Sequence, residues 1–290
     1  MTTVRPSVPA DVTIQRELWK LAFGDQDAYI DNFYRTYYRP ELVIVLEEAG
    51  AVRAMTAWFD TAFVVPGRGE YRCAYLYAVA THPDCRGRGL AGRLLAGADD
   101  YFRVLGIPAV STVPAEPSLH DFFGRNGFRE CFTLCQGTLS PAETSPPSWD
   151  NPLRPAAPEE YGAVRERLLA ELPHIAYPQE ALAYQAGCCA LSGGGLFVGE
   201  AEGGPLCACA EGDGQGLIVY KELLGGSGLR LALPHLTRML PGERFLVRSP
   251  MPRRPEASGG WKFGMLKWLD AALEQGWDWS SAAYLGLAFD

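Results

Sequence analysis

The chain has 290 residues, 48% of them hydrophobic and 21% charged, with a formal net charge of −8. This length is long for one ordinary domain and comfortable for two. The acidic balance argues against general nucleic-acid binding, which needs a basic face. No run of about twenty apolar residues is available to span a bilayer.

Val4-Arg5-Pro6 reads as a short first strand, and Ile14 to Tyr38 carry apolar positions at helical spacing, broken at Gly24 into two helices. This stretch is dense in aromatic residues, which read first as a helix face packed on a sheet. Leu42 to Leu46 and Val52 to Val65 follow as strands around a turn at Ala49-Gly50, and Ala74 to Thr81 is another apolar strand. After Pro83 come Arg86, Gly87, Arg88 and Gly89, then a helical pattern from about Leu90 to Leu105 that Gly106 and Pro108 stop. A short strand at Ala109 to Val113, a short helix ending in Gly127-Phe128, and a strand from Phe128 to Leu139 complete residues 1–140.

Residues 141–152 are rich in Pro and Ser without apolar period and read as a linker. Beyond it, Leu153-Arg154-Pro155 echoes Val4-Arg5-Pro6, and both open a stretch of about 140 residues. A helix at Tyr161 to Leu172 follows, with strands at Gly195 to Ala201, Leu206 to Glu211 and Gly216 to Leu224. A helix from Leu229 to Leu240 carries Pro234, and strands at Arg244 to Arg248 and Ala283 to Phe289 end the chain. The matching order suggests a tandem duplication, with residues 153–290 as the second copy.

Strand, glycine-rich turn, helix is the layout of an anion site. Glycines allow close backbone approach, and the amides and macrodipole of a helix start favour negative charge. The turn is not a phosphate-binding P-loop, which needs Lys-Ser/Thr after its second glycine. It also carries no three-glycine dinucleotide fingerprint. The R-x-x-G-x-A pattern of Arg86, Gly89 and Ala91, with FFGRNGF some thirty residues on, resembles the acyl-CoA signature of the GNAT N-acetyltransferase superfamily.

The resemblance implies an α/β fold: a mixed, mostly antiparallel sheet flanked by helices, here present twice. It implies acetyl-CoA as co-substrate, held by the backbone of Val79, Ala80 and Thr81 and by the loop and helix start Arg86, Gly87, Arg88, Gly89, Leu90, Ala91 and Gly92. The second copy has Gly225-Gly226-Ser227-Gly228 at that position without a preceding arginine, so it reads as a degenerate domain that has lost CoA binding. The aromatic helices at the start of the chain would line an acceptor pocket.

The implied reaction is acetyl transfer to a primary amine of a small acceptor. The strand before the motif lacks the superfamily's usual glutamate, and Phe123 stands where its tyrosine is usual. Candidate acids and bases are therefore Glu116, Tyr77 and the terminal Asp290, with His120, Asp121, Glu47, Asp60, Tyr75 and Tyr101 as further choices. Asp290 enters by resemblance to the two-domain "enhanced intracellular survival" branch, which uses its C-terminal carboxylate. The missing groups leave a catalytically silent acyl-CoA-binding protein open as the alternative.

Eight cysteines without a C-x-x-C pair fit neither a zinc site nor a disulfide framework, so no metal is expected. Cys85, in the loop, is the most accessible by position. The opening MTTVRPSVPAD lacks the apolar stretch of a secretory leader, so a cytoplasmic location is expected. Neither nucleic acid nor membrane is an expected partner, and the apolar second half is compatible with a homodimer.

Overall fold

The computed structural model describes residues 2–139, 152–201, 203–226, 229–251 and 260–289. Residues 141–151 of the linker lie outside these residues, as do Asp290 and the Ser227-Gly228 end of the second glycine loop.

The first half runs β1 (Thr2–Pro6), α1 (Val12–Phe23), α2 (Asp27–Thr36), β2 (Val43–Glu48), β3 (Ala51–Val65), β4 (Gly69–Thr81), α3 (Leu90–Val104), β5 (Ala109–Thr112), α4 (Pro117–Arg125) and β6 (Arg129–Leu139). Gly24, at φ +73°, ends α1 in a left-handed cap and separates the two aromatic helices, as its position in the sequence suggests. The second half runs β7 (Leu153–Pro155), α5 (Pro158–Leu169), β8 (His174–Ala176), α6 (Gln179–Leu191), β9 (Gly195–Ala201), β10 (Gly204–Gly212), β11 (Leu217–Gly225), α7 (Leu229–Met239), β12 (Arg244–Ser249), β13 (Trp261–Trp268) and α8 (Ala271–Gly276).

Two compact units result, and their boundaries differ from the simple division at the linker. The first comprises Met1–Val64, Gly69–Cys131 and Gly264–Ser281. The second comprises Val65–Arg68, Phe132–Phe263 and Ala282–Asp290. In the first unit β1 pairs antiparallel with β2, β2 antiparallel with β3, and β4 parallel with β5. Its β5 then takes an antiparallel neighbour from the far end of the sequence, β13, in the register Met265 to Thr112 through Trp268 to Ala109.

In the second unit β7 pairs antiparallel with β9, β9 with β10 and β10 with β11, and β11 is parallel to β12. Its β12 is flanked by β6, a strand of the first half, in the register Phe245 to Leu139 through Ser249 to Cys135. Apart from β8, which intervenes between α5 and α6, the element order repeats: a strand, two helices, three strands, a helix and a parallel strand. Each repeat is finished by a strand from the opposite half of the chain.

The first unit's core sets buried Trp58 and Phe102 edge to face (ring centroids 5.1 Å apart) on the α3 side of the sheet. The α1–α2 side carries Trp19, Phe33 and Phe59. The second unit's core includes Leu206, Ala208, Tyr220, Leu236 and Phe245, all essentially inaccessible.

The second unit also buries a charged network. Arg165 donates from Nε to Glu222 Oε1 at 2.9 Å and from Nη1 to the Ile175 carbonyl at 2.8 Å, and the Tyr161 hydroxyl donates to the same Glu222 oxygen. Burial works against the Arg165 charge, but the carboxylates of Glu222 and Glu166 outweigh it and hold the guanidinium protonated. Arg165 and Tyr177 both donate to the Leu285 carbonyl, at 3.1 and 3.0 Å. The segment expected as a final strand, Ala283 to Phe289, makes only single bridges, Phe132 to Ala283 and His174 to Tyr284. Left-handed residues at Gly286 (φ +76°) and Phe289 (φ +57°) interrupt its extended run.

Candidate functional site

The site is built where β4 runs into α3. Pairing of β4 with β5 ends at Leu76 and Thr112, because β5 is only four residues long, while β4 continues to Thr81. Ala78, two residues past the last pair, has φ +50°. A non-glycine residue in that region costs about 1–2 kcal/mol, and it kinks the strand just before Val79, Ala80 and Thr81. Ala80 is buried, and Val79 and Thr81 are half-buried.

After a single 3-10 turn at Pro83–Cys85, Arg86 is extended. Gly87 and Gly89 then turn left-handed, at φ +75° and +73°. Open space surrounds the position of a Cβ on either glycine, so the backbone conformation, not crowding, is what requires glycine there. Gly89 is the N-cap of α3 and brings no side chain to satisfy the amides of the first turn. Arg86 through Gly89 are exposed. The result is a water-facing cluster of peptide N–H groups with the positive end of a 15-residue helix behind it, which suits a phosphate.

The flanking arginines are partly engaged. Arg86 Nε donates to the Thr81 carbonyl at 3.3 Å, and Arg88 Nη2 donates to Glu48 Oε2 at 2.8 Å. Arg88 therefore turns toward the end of β2. The sequence gives no sign of the Glu48 contact, which joins residues forty positions apart. Small residues let α3 pack closely: a Cβ on Gly92 would meet Asn126 Oδ1 at 3.3 Å, and one on Gly97 would meet Val4 Cβ at 2.5 Å.

The candidate acid–base residues lie on different elements. Tyr77 sits in β4, half-buried, with its ring 5.4 Å from those of Trp19 and Phe59. Its hydroxyl is 3.3 Å from that of Tyr29 on α2. Tyr29 belongs to the aromatic stretch visible in the sequence, but its pairing with Tyr77 is a tertiary fact. Glu116 is the exposed residue preceding α4, 3.4 Å from the Ser118 hydroxyl. Asp290 lies outside the described residues.

Asp121 is exposed, and most of the other choices are occupied by ion pairs or packing. Glu47 is held by Arg5 at 2.9 Å, Asp60 is gripped by Arg72 through both oxygens, and His120 Nδ1 is 2.8 Å from Glu130. Phe123 is buried between Phe122 and Phe128. Cys85, expected to be accessible, is buried: the 3-10 turn folds its side chain inward. All eight cysteines are free, and burial pushes the Cys73 thiol up to about 12. Among the described residues no group of His, Cys, Asp and Glu side chains is arranged to hold a metal ion, and no helix is long and apolar enough to cross a membrane.

No curated protein matches the chain in sequence. Solved structures resemble it over nearly its whole length. Eis1 from Mycobacterium abscessus aligns over 95% of this chain and 75% of its own, with 14% identity and a TM-score of 0.67. A GCN5-related N-acetyltransferase from Anabaena variabilis covers 93% and 73%, with 12% identity and a TM-score of 0.70. One from Kribbella flavida covers 93% and 72%, with 16% identity and a TM-score of 0.69. At such identities the likeness is one of fold. The family model described as an acetyltransferase (GNAT) domain matches residues 3–130, which include the strand, glycine loop and helix described above. Residues 3–130 are therefore similar to acetyltransferase (GNAT) domains, and the chain as a whole shares the fold of these solved structures.

Proposed function

We propose that the protein is an N-acetyltransferase that moves an acetyl group from acetyl-CoA to a primary amine of a small acceptor by direct attack. The observation that carries this reading is the exposed pair of left-handed glycines, Gly87 and Gly89, opening an α3 whose N-cap has no side chain. That cradle fits a pyrophosphate. Amides of Gly87 to Gly92 would take its oxygens, and the backbone of Val79 to Thr81, past the end of the β5 pairing, would take the pantetheine arm as an added strand. Acetyl-CoA supplies the activated acyl group; amides near Ala80 and Thr81 would polarise its carbonyl.

An alkylamine with a pKa near 10.4 costs about 4.6 kcal/mol to deprotonate at neutral pH, so a base is the larger need. Glu116 and the terminal Asp290 are the carboxylates proposed for it. A departing thiolate needs only about 2 kcal/mol of help, and Tyr77, hydrogen-bonded to Tyr29, is the proposed donor. The repeat of element order supports reading residues 153–290 as a degenerate copy that binds no CoA.

Calorimetry with acetyl-CoA on the wild type and Gly89→Glu tests the site. Micromolar binding lost in the variant supports it; no binding in the wild type overturns it. A second reading, a silent acyl-CoA-binding protein, is favoured by the buried Phe123 at the tyrosine position and a β4 without a carboxylate near the kink. Transfer to any member of a broad amine panel would exclude that reading.

A further inference from the structure

Arg88 stands between the two left-handed glycines, Gly87 (φ +75°) and Gly89 (φ +73°), yet its charge is met by a carboxylate of another element. Its Nη2 donates to Oε2 of Glu48, the last residue of β2, at 2.8 Å. Both side chains meet water, with exposures of 51% and 22%. The adjacent carboxylate, Glu47, is held by Arg5 instead, so the last two residues of β2 serve different cations.

The other charged groups of the loop are engaged differently. Arg86 donates to the Thr81 carbonyl at 3.3 Å, and exposed Asp84 sits 3.9 Å from His82 Nδ1. Glu48 therefore neutralises one cation of the glycine loop from outside it. An exposed ion pair of this kind is weak. A phosphate group, whose oxygens accept two parallel N–H donors, is the stronger partner for a guanidinium.

We propose that Glu48 competes with the cofactor's pyrophosphate for Arg88. The free protein then carries its own counter-anion, and cofactor binding exchanges that carboxylate for a phosphate. The exchange lowers the net affinity of the loop and returns Arg88 to Glu48 when CoA leaves. This inference rests on reading the loop as the acetyl-CoA site, and it adds a residue forty positions from Arg88 that sets how tightly the site holds. A glutamate that only held Arg88 in place for the phosphate would have the opposite effect on removal.

Calorimetric titration of the full chain with acetyl-CoA and with CoA tests it. Glu48→Gln is expected to tighten both about two- to fivefold, the range set by an exposed ion pair. Glu48→Ala is expected to act alike and takes its place should that variant fail to fold. In an Arg88→Gln background the same substitution is expected to change nothing. Asp84→Asn removes an equal charge from the loop without touching Arg88, and a smaller gain is expected. Unchanged or weaker binding in Glu48→Gln overturns the proposal, as does an equal gain in Asp84→Asn or in the Arg88→Gln background. No acetyl-CoA binding by the wild type overturns the reading of the loop itself, and this inference with it.

Discussion

Arg5 reaches past its own neighbour to Asp11: Nη1 lies 2.7 Å from Asp11 Oδ2 and also donates to the Pro6 carbonyl at 3.2 Å. Arg154 does the same in the second half, donating to the Pro155 carbonyl at 3.4 Å and to Glu160 at 2.9 Å. In each case the carboxylate is six residues on, at the start of the next helix. The short sequence echo is thus also a structural one.

The two ion pairs are expected to respond differently to mutation. The Arg5 hydrogen bond holds Asp11 below the ordinary carboxylate range, against an opposing effect of burial. A lowered folded pKa contributes stability that is present above the unfolded value of about 3.9 and is lost as pH falls through the folded value. Asp11→Asn should therefore lower stability by about 1–2 kcal/mol near neutrality, and the gap from wild type should close in acid. The Arg154–Glu160 pair is exposed, and Glu160→Gln should change urea unfolding by less than the error of measurement.

Lys267 on β13 ties α3 to the end of α4, donating to Asp99 and, at 2.7 Å, to the Asn126 carbonyl. Burial pushes the Asp99 carboxyl up, and Lys267 pulls it back. Removing the ammonium in Lys267→Met should cost about 3 kcal/mol, because a mostly buried carboxylate is left unpaired. The deficit should shrink toward acid, where Asp99 takes a proton. A fragment of residues 1–140 lacks β13 altogether and is expected to show no cooperative thermal unfolding by circular dichroism.

Two helix glycines with opposite surroundings give opposite expectations. A Cβ on Gly97 would lie 2.5 Å from Val4 Cβ, so Gly97→Ala overpacks the contact of α3 with β1 and should cost about 1–3 kcal/mol. Gly124 in α4 has nothing within 4 Å of that position, and Gly124→Ala should raise stability by up to about 1 kcal/mol. Thermal unfolding of both variants separates crowding from helix propensity.

Glu222 and Arg165 have side-chain exposures of 0% and 1%, so their ion pair has almost no access to water. Neutralising one partner with Glu222→Gln leaves the other charge buried, at a cost of about 3 kcal/mol. Gly286→Ala should be worse tolerated. Its Cβ would fall 2.1 Å from Glu222 Oε2, at a φ of +76° that already disfavours alanine. Loss of soluble expression or a strongly lowered Tm in Gly286→Ala is the expected readout.

Local chemistry made the first half of this chain readable from sequence. Alternating apolar runs marked β2, β3 and β4, Gly24 marked the break between α1 and α2, and Arg86 to Ala91 marked the glycine loop before α3. Each of these signals arises within a few residues, where backbone conformation is set by neighbours. Where signals were local but ambiguous, sequence reading missed elements. Helix α6, QEALAYQAGCCAL, buries one face, but that face includes Gln185 while Ala190 and Leu191 lie exposed, so the sequence shows no clear period.

Tertiary structure alone decided which strands finish which sheet. Met265 to Trp268 lie beside β5, and Cys135 to Leu139 beside β12, each pair more than a hundred residues apart. Strand pairing is chosen by backbone hydrogen bonds and cross-strand packing between distant segments, which no local window records. The same reason hid the Tyr29–Tyr77 hydroxyl contact, the burial of Cys85 and the Arg88–Glu48 ion pair. Residue type and spacing determined the elements and the glycine loop of the first half; long-range packing determined the partners those elements acquired.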